Sequence, residues 1–258
     1  HVLGPTMATT DSGPTGHFQV LDLVDGSYQV TISAEGYAAY GAQLSLFEPQ
    51  VTLNVALEPI TALVSMDFET TSGGLVSSAP SGWQWGVDSV AGSHSGSKVW
   101  GTVLGGDYPS SVLWTLDVPA VVVPAEAATA TLVFWHWYRT ESGYDGGQVQ
   151  VAIDGGGYVL VTPEGGYPDS DVDGIGNNQP GWSGSSGGWR EVRIDLPQAI
   201  GHSVTVRFRF GSDSSVSDRG WYLDDLSLET TGGQAPQPVF ADGFESGDLS
   251  GWDAAVGG

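Results

Sequence analysis

Residues 221–228 read WYLDDLSL, and this stretch decides the fold class. Leu223, Leu226 and Leu228 are spaced too irregularly for a plain strand, in which every second side chain points to the same face. A β-bulge at Asp224-Asp225 would restore the alternation, and bulges re-aim side chains at sites. The stretch therefore predicts a bulged strand with two adjacent carboxylates at its bend.

Other strand patterns surround this stretch, and helical periodicity is almost absent. Turns at Asp145-Gly146-Gly147 and at residues 154–157 (DGGG) indicate hairpins. Residues 60–230 thus predict eight or nine antiparallel strands, the number that fits a jelly-roll sandwich. The predicted strands are Leu63–Phe68, Val112–Asp117, Ala130–Tyr138, Gln148–Ile153, Tyr158–Thr162, Arg190–Leu196, Ser203–Phe210 and Tyr222–Leu228.

Residues 1–59 predict a separate, smaller all-β domain. Phe18 and Val20 before the turn Asp25-Gly26, and Tyr28 and Val30 after it, alternate with polar residues as in half-buried strands. A domain of this size is near the lower limit for independent folding. Its predicted strands are residues 16–23, 28–34, Ala42–Phe47 and Val51–Leu57, before Pro59.

Residues 231–258 begin with the linker TGGQAPQP. After it, Phe244-Glu245 followed by Gly251-Trp252 repeats the order of Phe68-Glu69 followed by Gly82-Trp83. The region is therefore predicted to open another module of the same kind, or to be a C-terminal tail. Both chain ends look like cuts in a longer protein.

The composition excludes several classes of function. Among 258 residues, 30 acids against 7 bases give a net charge of -23, which argues against nucleic acids and anionic membranes as partners. The absence of cysteine excludes disulfides and thiolate metal sites. No signal peptide is visible, and Pro119, Pro124 and Glu126 interrupt the most apolar stretch, so no membrane insertion is expected.

The first predicted calcium site joins the two ends of the large domain. Alternation puts Asp67 and Glu69 on one strand face, and the first and last strands of a jelly roll often lie side by side. Glu69 would then meet Asp224 or Asp225, and converging carboxylates repel unless a proton or a cation lies between them. Calcium suits such oxygen ligands. The alternative is two unrelated acidic strand ends in water.

A second predicted calcium site is the DxDxDG pattern of residues 169–174. Asp169, Asp171 and Asp173 could converge while Gly174 makes the turn, and Ile175 would offer its carbonyl oxygen. Position 12 of this pattern is Pro180 instead of the usual Glu, so the ligand set is short. The alternative is a solvated acidic loop.

Signals for catalysis are weak. The GxSxG match at residues 184–188 lies in a Gly/Ser loop and is interpreted as chance. The five histidines are isolated in the sequence, and His136 lies in an apolar strand where a structural role is expected. The tryptophans of the large domain are expected to be mostly core, although an exposed row of them would indicate sugar binding.

The small domain resembles the carboxypeptidase regulatory-like domain, a prealbumin-like sandwich. The matching motifs are Thr10-Asp11, Gly16-His17-Phe18, Gly26-Ser27-Tyr28 and residues 34–37 (AEGY). The family's earlier strand is missing here, so the resemblance implies a truncated sandwich with an unpaired edge.

The large domain resembles the MAM-like jelly roll of immune inhibitor A-like and related secreted bacterial peptidases. The matching motifs are residues 67–69 (DFE), 82–83 (GW), 94–102 (HSGSKVWGT), 132–138 (LVFWHWY), 144–147 (YDGG), 180–189 (PGWSGSSGGW), 206–212 (VRFRFGS) and 220–227 (GWYLDDLS). The resemblance implies Glu69 and Asp225 as calcium ligands, with Asp67 or Asp224 as further candidates and backbone oxygens near Ser97 completing the shell.

The sequence therefore predicts a non-catalytic, calcium-stabilised accessory module of a secreted bacterial protein, a peptidase by resemblance. The expected fold is all-β, a small prealbumin/Ig-like sandwich followed by an antiparallel jelly-roll sandwich. The expected partner is the catalytic domain of the parent protein, an extracellular protein or a polysaccharide. The alternative is a carbohydrate-binding or adhesin module of a different extracellular parent, and an enzyme on a jelly-roll fold is the third hypothesis.

Overall fold

Short antiparallel strands make up the chain, as the alternating pattern predicts. The computed structural model describes residues 1–13, 15–47, 51–176 and 179–232. The strands of this part are β1 (Val2–Leu3), β2 (Gly26–Ile32), β3 (Tyr40–Leu46), β4 (Thr61–Met66), β5 (Val76–Ser77), β6 (Gln84–Gly86), β7 (Val99–Gly101), β8 (Leu113–Asp117), β9 (Val121–Val122), β10 (Thr129–Arg139), β11 (Gly146–Ile153), β12 (Val159–Leu160), β13 (Asp169–Val172), β14 (Gln179–Ser183), β15 (Arg190–Asp195), β16 (Ser203–Gly211) and β17 (Gly220–Thr231), with a 3-10 turn at Pro197–Ala199.

Two sheets form the large domain. One has the order β15-β10-β17-β7-β6, with β4 also paired to β17. The other has the order β13-β14-β11-β16-β8-β5, with β12 paired to β11 and β9 paired to β16. Every pairing is antiparallel within the described strands. The predicted all-β, antiparallel architecture is confirmed.

The core of the large domain lies between these sheets. Leu132 and Phe134 from β10 meet Phe208 from β16, and all three side chains are fully buried. The rings of Phe134 and Phe208 pack edge to face with centroids 5.0 Å apart. Such aromatic contacts add to the free energy gained by burying apolar area. Trp221 of β17 contacts Trp83, Trp182 and Phe208 in the same core.

All eight predicted strands of the large domain are present, with ends that differ by a few residues. The hairpin at residues 154–157 is confirmed because β11 pairs with β12 across it. The hairpin at Asp145-Gly146-Gly147 is wrong. Gly146 and Gly147 begin β11, which belongs to the opposite sheet from β10, so residues 140–145 cross between the sheets.

The first region contains one three-stranded sheet, of order β1-β2-β3. Its small core consists of Val2, Tyr28 and Val30, with Leu44 and Leu53 packed against them. The strands predicted at residues 16–23 and 51–57 are wrong, because these residues form no ladder in the described structure. A truncated regulatory-like sandwich therefore stays a prediction.

The third region falls almost entirely beyond the described residues. β17 continues to Thr231, one residue past the predicted end of the jelly roll. The further module or tail predicted for residues 231–258 lies outside the described residues from residue 233 onward. In the part of the chain that the structure describes, no helix has the length and apolar character needed to cross a membrane.

Candidate functional site

The bulge in β17 positions two of the predicted site carboxylates. The register between β10 and β17 shifts between Val133 and Trp135, and Asp225 has a φ of 44°. A positive φ is uncommon outside glycine, although Asp tolerates it better than most residues. The bulge predicted at Asp224-Asp225 is therefore confirmed. It directs both side chains at residues 94–98, called here the 94–98 loop.

Asp224 and Asp225 hold the first half of this loop. Asp224 is fully buried and accepts the backbone N–H groups of His94 and Ser95 at 2.9 and 3.2 Å. Burial raises the pKa of Asp224 to about 6, and the charge of Asp225 adds to the rise. Asp225 lies 2.6 Å from His94 Nδ1 and accepts the Ser95 hydroxyl at 2.8 Å.

Glu69 holds the second half of the loop. Its carboxylate accepts the backbone N–H groups of Lys98 and Ser97 at 2.8 and 2.9 Å and the Ser97 hydroxyl at 3.1 Å. These hydrogen bonds hold the pKa of Glu69 below its usual value. Gly96 has a φ of 51°, and a Cβ there would collide with the Glu69 carboxylate, so both the backbone and the close approach favour glycine. Asp67 accepts the Glu69 backbone N–H at 3.1 Å.

The structure thus brings Glu69, Asp224 and Asp225 of the first predicted set around one loop, as expected from adjacent first and last strands. Met66 of β4 pairs with Leu226 of β17. The groups around these carboxylates are mainly N–H and O–H donors, which act as loop anchors. Among the described residues, no three of these four side chains bring ligand atoms within 4.8 Å of one another. Calcium at Glu69 and Asp225, with Asp67 or Asp224, stays a prediction.

The second predicted set has a different geometry from a DxDxDG loop. Asp169 and Asp171 lie in β13, and the Asp171 N–H donates to Asp169 Oδ1 at 3.0 Å. Asp173 follows the strand, and the Ile175 side chain is fully buried. Within the described part of the chain, these three carboxylates do not converge to within 4.8 Å of one another. Calcium at this set also stays a prediction.

The structure also brings together an acidic cluster that the sequence analysis did not predict. Glu141, Asp145 and Asp213 each place an oxygen within 4.8 Å of the other two. Asp145 is fully buried, and it accepts the Tyr108 hydroxyl at 2.6 Å and the Asp213 N–H at 2.7 Å. Asp213 is 68 residues from Asp145 in sequence. Two residues so far apart in the sequence show no spacing pattern that would link them. The sequence analysis instead interpreted Asp145 as part of a hairpin turn.

The electrostatics of this cluster favour a proton or a cation. Burial raises the pKa of Asp145. Loss of hydration, together with the charges of Asp213 and Asp145, raises the pKa of Glu141. Glu141 Oε2 is buried and has no hydrogen-bond partner in the described structure. Oxygens of this kind are ligands that calcium prefers, so the donor set fits that ion.

The nine tryptophans that the structure describes do not form the exposed row that sugar binding would need. Trp83, Trp100, Trp114, Trp182 and Trp221 are buried. The other four described tryptophans are partly buried (Trp85, Trp135, Trp137 and Trp189). His94 stacks on Trp135 with ring centroids 3.6 Å apart, so the 94–98 loop covers that ring. The described tryptophans therefore give no support to the carbohydrate-binding alternative.

The GxSxG serine has a structural contact. Ser186 is buried, and its hydroxyl accepts the Tyr138 N–H at 3.1 Å and approaches the Tyr138 carbonyl oxygen at 3.3 Å. His136 is also buried, and its Nδ1 accepts the Trp221 indole N–H at 3.2 Å. Both side chains therefore stabilise the sandwich.

Comparisons with known proteins agree with the resemblance seen in the motifs. Residues 94–253 match the family model of the immune inhibitor A-like MAM domain. The chain is 35% identical over 179 residues to Bacillopeptidase F of Bacillus subtilis (strain 168), covering 68% of this chain and 11% of that protein. It is 30% identical over 132 residues to the pre-pro-metalloprotease PrtV of Vibrio cholerae, covering 50% of this chain and 13% of that protein.

Solved structures give weaker similarity. The K1 cleaved adhesin domain of Lys-gingipain from Porphyromonas gingivalis W83 is 18% identical with a TM-score of 0.39, covering 64% of this chain and 96% of that one. A structure of carbohydrate-binding modules from the β-sandwich superfamily is 14% identical with a TM-score of 0.37, covering 80% of this chain and 74% of that one.

Proposed function

The chain belongs to the immune inhibitor A-like MAM domain family, and from this premise we propose that it is a non-catalytic, calcium-stabilised accessory module of a larger secreted bacterial peptidase. One observation carries the proposal. The similar region recurs in a Bacillus peptidase and a Vibrio metalloprotease, and it occupies only 11% and 13% of their lengths. A region shared in this way is expected to position or stabilise the parent enzyme, or to bind its substrate or a surface.

The non-catalytic part of the proposal has a direct test. The purified chain is incubated with denatured protein, with chromogenic peptides and with chromogenic glycosides. We expect no product above a buffer control, because the candidate nucleophile Ser186 is engaged with the Tyr138 backbone. Turnover that persists through repeated purification and tracks the chain would contradict the accessory role.

The calcium part of the proposal concerns two places. The Glu141–Asp145–Asp213 cluster is supported by its converging oxygens and by the unpartnered Glu141 Oε2. The second place is the Glu69 and Asp225 pair beside the 94–98 loop, which the family resemblance implies. A bound cation would offset carboxylate repulsion at either place.

We expect calcium to raise the melting temperature of the chelator-treated chain by about 5 °C or more. A ligand that binds only the folded state adds about 2.7 kcal/mol at a hundred times its dissociation constant. In a domain of this size, 1 kcal/mol corresponds to roughly 2–4 °C. The measurement is thermal unfolding with and without calcium, paired with elemental analysis of the purified chain.

Matched variants locate the ion. Glu141→Gln should remove the calcium-induced rise, whereas Glu126→Gln, at an exposed position, should keep it. A rise that survives Glu141→Gln but disappears in Asp225→Asn would place the ion at the 94–98 loop. If calcium changes nothing and the chain carries no metal, calcium stabilisation is wrong and the accessory role is unaffected.

A further inference from the structure

A cavity of about 550 Å³ opens between the two sheets beside the edge strand β15. β10 contributes His136 and Tyr138, β14 contributes Trp182, and β15 contributes Arg190 and Arg193. The volume is in the range of small-molecule binding sites. The cavity lies apart from the acidic residues discussed above, none of which lines it.

Two buried side chains line this cavity with polar atoms that have no protein partner. His136 is 2% exposed, and its Nδ1 accepts the Trp221 N–H, so Nε2 carries the proton of the neutral ring. Tyr138 is 8% exposed. In the described structure, neither His136 Nε2 nor the Tyr138 hydroxyl has a hydrogen-bond partner, and neither atom is sealed from solvent. Both can therefore donate to a molecule in the cavity.

The cavity also contains charged groups of both signs. Arg190 and Arg193, two of the seven basic residues of the chain, line it together with Glu164 and Glu191. Arg190 Nε donates to the Ser186 carbonyl oxygen at 3.0 Å, which leaves its two Nη groups without a partner among the described residues. Arg193 lies 3.6 Å from Glu191 and 3.7 Å from Glu229, distances too long for strong charge-assisted hydrogen bonds.

The donors of the cavity therefore suit a ligand that accepts several hydrogen bonds and carries negative charge at the end next to Arg190. A carboxylate accepts from a guanidinium, a phenol and an imidazole together. Trp182, Val192 and Pro168 supply apolar wall for a group attached to it. A second groove of about 440 Å³ shares Glu164 and Arg193 with the cavity and continues toward Tyr37. The part of an extended ligand that precedes its carboxylate therefore has room to lie in this groove.

From this arrangement we infer that the cavity binds the C-terminal carboxylate of a short peptide whose last side chain is apolar. The edge of β15 supports an extended peptide over a sugar. β15 pairs only with β10 among the described strands, so its outer edge can offer main-chain groups to a peptide. One outer group is already used, because the Glu164 N–H donates to the Arg193 carbonyl oxygen at 2.9 Å. The inference rests on the accessory role and is independent of calcium.

The test is titration calorimetry of the whole chain with N-acetyl-Ala-Ala-Phe as the free acid and as the C-terminal amide. We expect the acid to bind at least about tenfold more tightly, the factor expected for a charge-assisted hydrogen bond. Equal affinity for acid and amide, or no heat with either at millimolar concentration, would overturn the inference. Binding of glucuronic acid in place of the peptide acid would overturn it in favour of an acidic sugar.

Variants then test the residues. Arg190→Gln should weaken binding of the acid about tenfold and leave any binding of the amide unchanged. Tyr138→Phe removes one donor with little change of shape and should weaken it by a smaller factor. Arg139→Gln is the matched control, because the Arg139 side chain pairs with Asp218 and does not line the cavity. Acid binding that is unchanged in Arg190→Gln refutes the site. Product formation in the hydrolysis assay would instead refute the accessory role.

Discussion

His136 is a neutral imidazole held inside the sandwich, and its burial makes stability depend on pH. Burial lowers the pKa of His136 to about 3, with a smaller contribution from the positive charge of Arg190. Between that value and the unfolded pKa of about 6.5, the unfolded state binds more protons than the folded state. The stabilising contribution is complete above pH ~6.5 and is lost as pH falls toward 3.

We therefore expect His136 to lower the free energy of unfolding as pH drops below about 6.5. The decrease should be at most about 1.4 kcal/mol per pH unit. The measurement is chemical denaturation across this range in the wild type and in His136→Gln. The variant is less stable at neutral pH, but the difference between the two proteins should shrink on acidification. A difference that stays constant with pH would show that His136 does not stay neutral in the folded state.

At the residue scale, the sequence predicts what is local and misses what is distant. The broken alternation of Leu223, Leu226 and Leu228 predicted the bulge, since phase is a property of neighbouring residues. The partners of Asp224 and Asp225 are His94 and Ser95, about 130 residues earlier. No spacing rule reaches that far, and only the resemblance linked residues near Ser97 to this site.

At the scale of elements, the close approach of the two sheets fixes one glycine. Gly147 of β11 faces Trp221 of β17, and a Cβ there would lie 2.2 Å from the indole ring. A buried tryptophan cannot move aside without repacking Phe208 and Trp182 around it. Gly147→Ala should lower the free energy of unfolding by roughly 1–3 kcal/mol, the usual cost of overpacking.

The control is Gly157→Ala, because nothing lies within 4 Å of the added Cβ at that position. It should change stability by less than about 0.5 kcal/mol. Both variants are compared with the wild type by urea denaturation at one pH. A neutral Gly147→Ala would mean that the sheets are farther apart than described.

Element length decided which strands could be predicted. β16 buries every second side chain over most of its length, and β10 does so from Phe134 to Tyr138, so both strands show a pattern long enough to predict. β6 and β7 have three residues each, too few to show a period. Residues 16–23 alternate like a strand but do not form one. Val20 and Leu23 pack on the small core, although their backbone is not paired in a sheet.

At the scale of the whole molecule, two hydrophobic cores of unequal size divide the chain. The core of the large domain and the core of the first region share no residue. The sequence analysis predicted a domain boundary near Pro59, from the strand pattern that ends before this proline, and the boundary itself stays a prediction.

This division predicts that residues 60–258 fold without the first region. Among the described residues, the core of the large domain contains thirty buried side chains, whereas that of the first region contains three. A three-stranded sheet of that size is marginal by itself. We expect the melting temperature of residues 60–258 to stay within about 4 °C of the whole chain, which corresponds to roughly 1 kcal/mol. Residues 1–59 alone should give the circular dichroism of an unfolded peptide.

A large drop in the melting temperature of residues 60–258 would instead mean that the first sheet belongs to the same cooperative unit. In that case the groove that Tyr37 and Ala38 form with Thr129 and Glu229 would be part of the fold's stability as well as an extension of the peptide cavity.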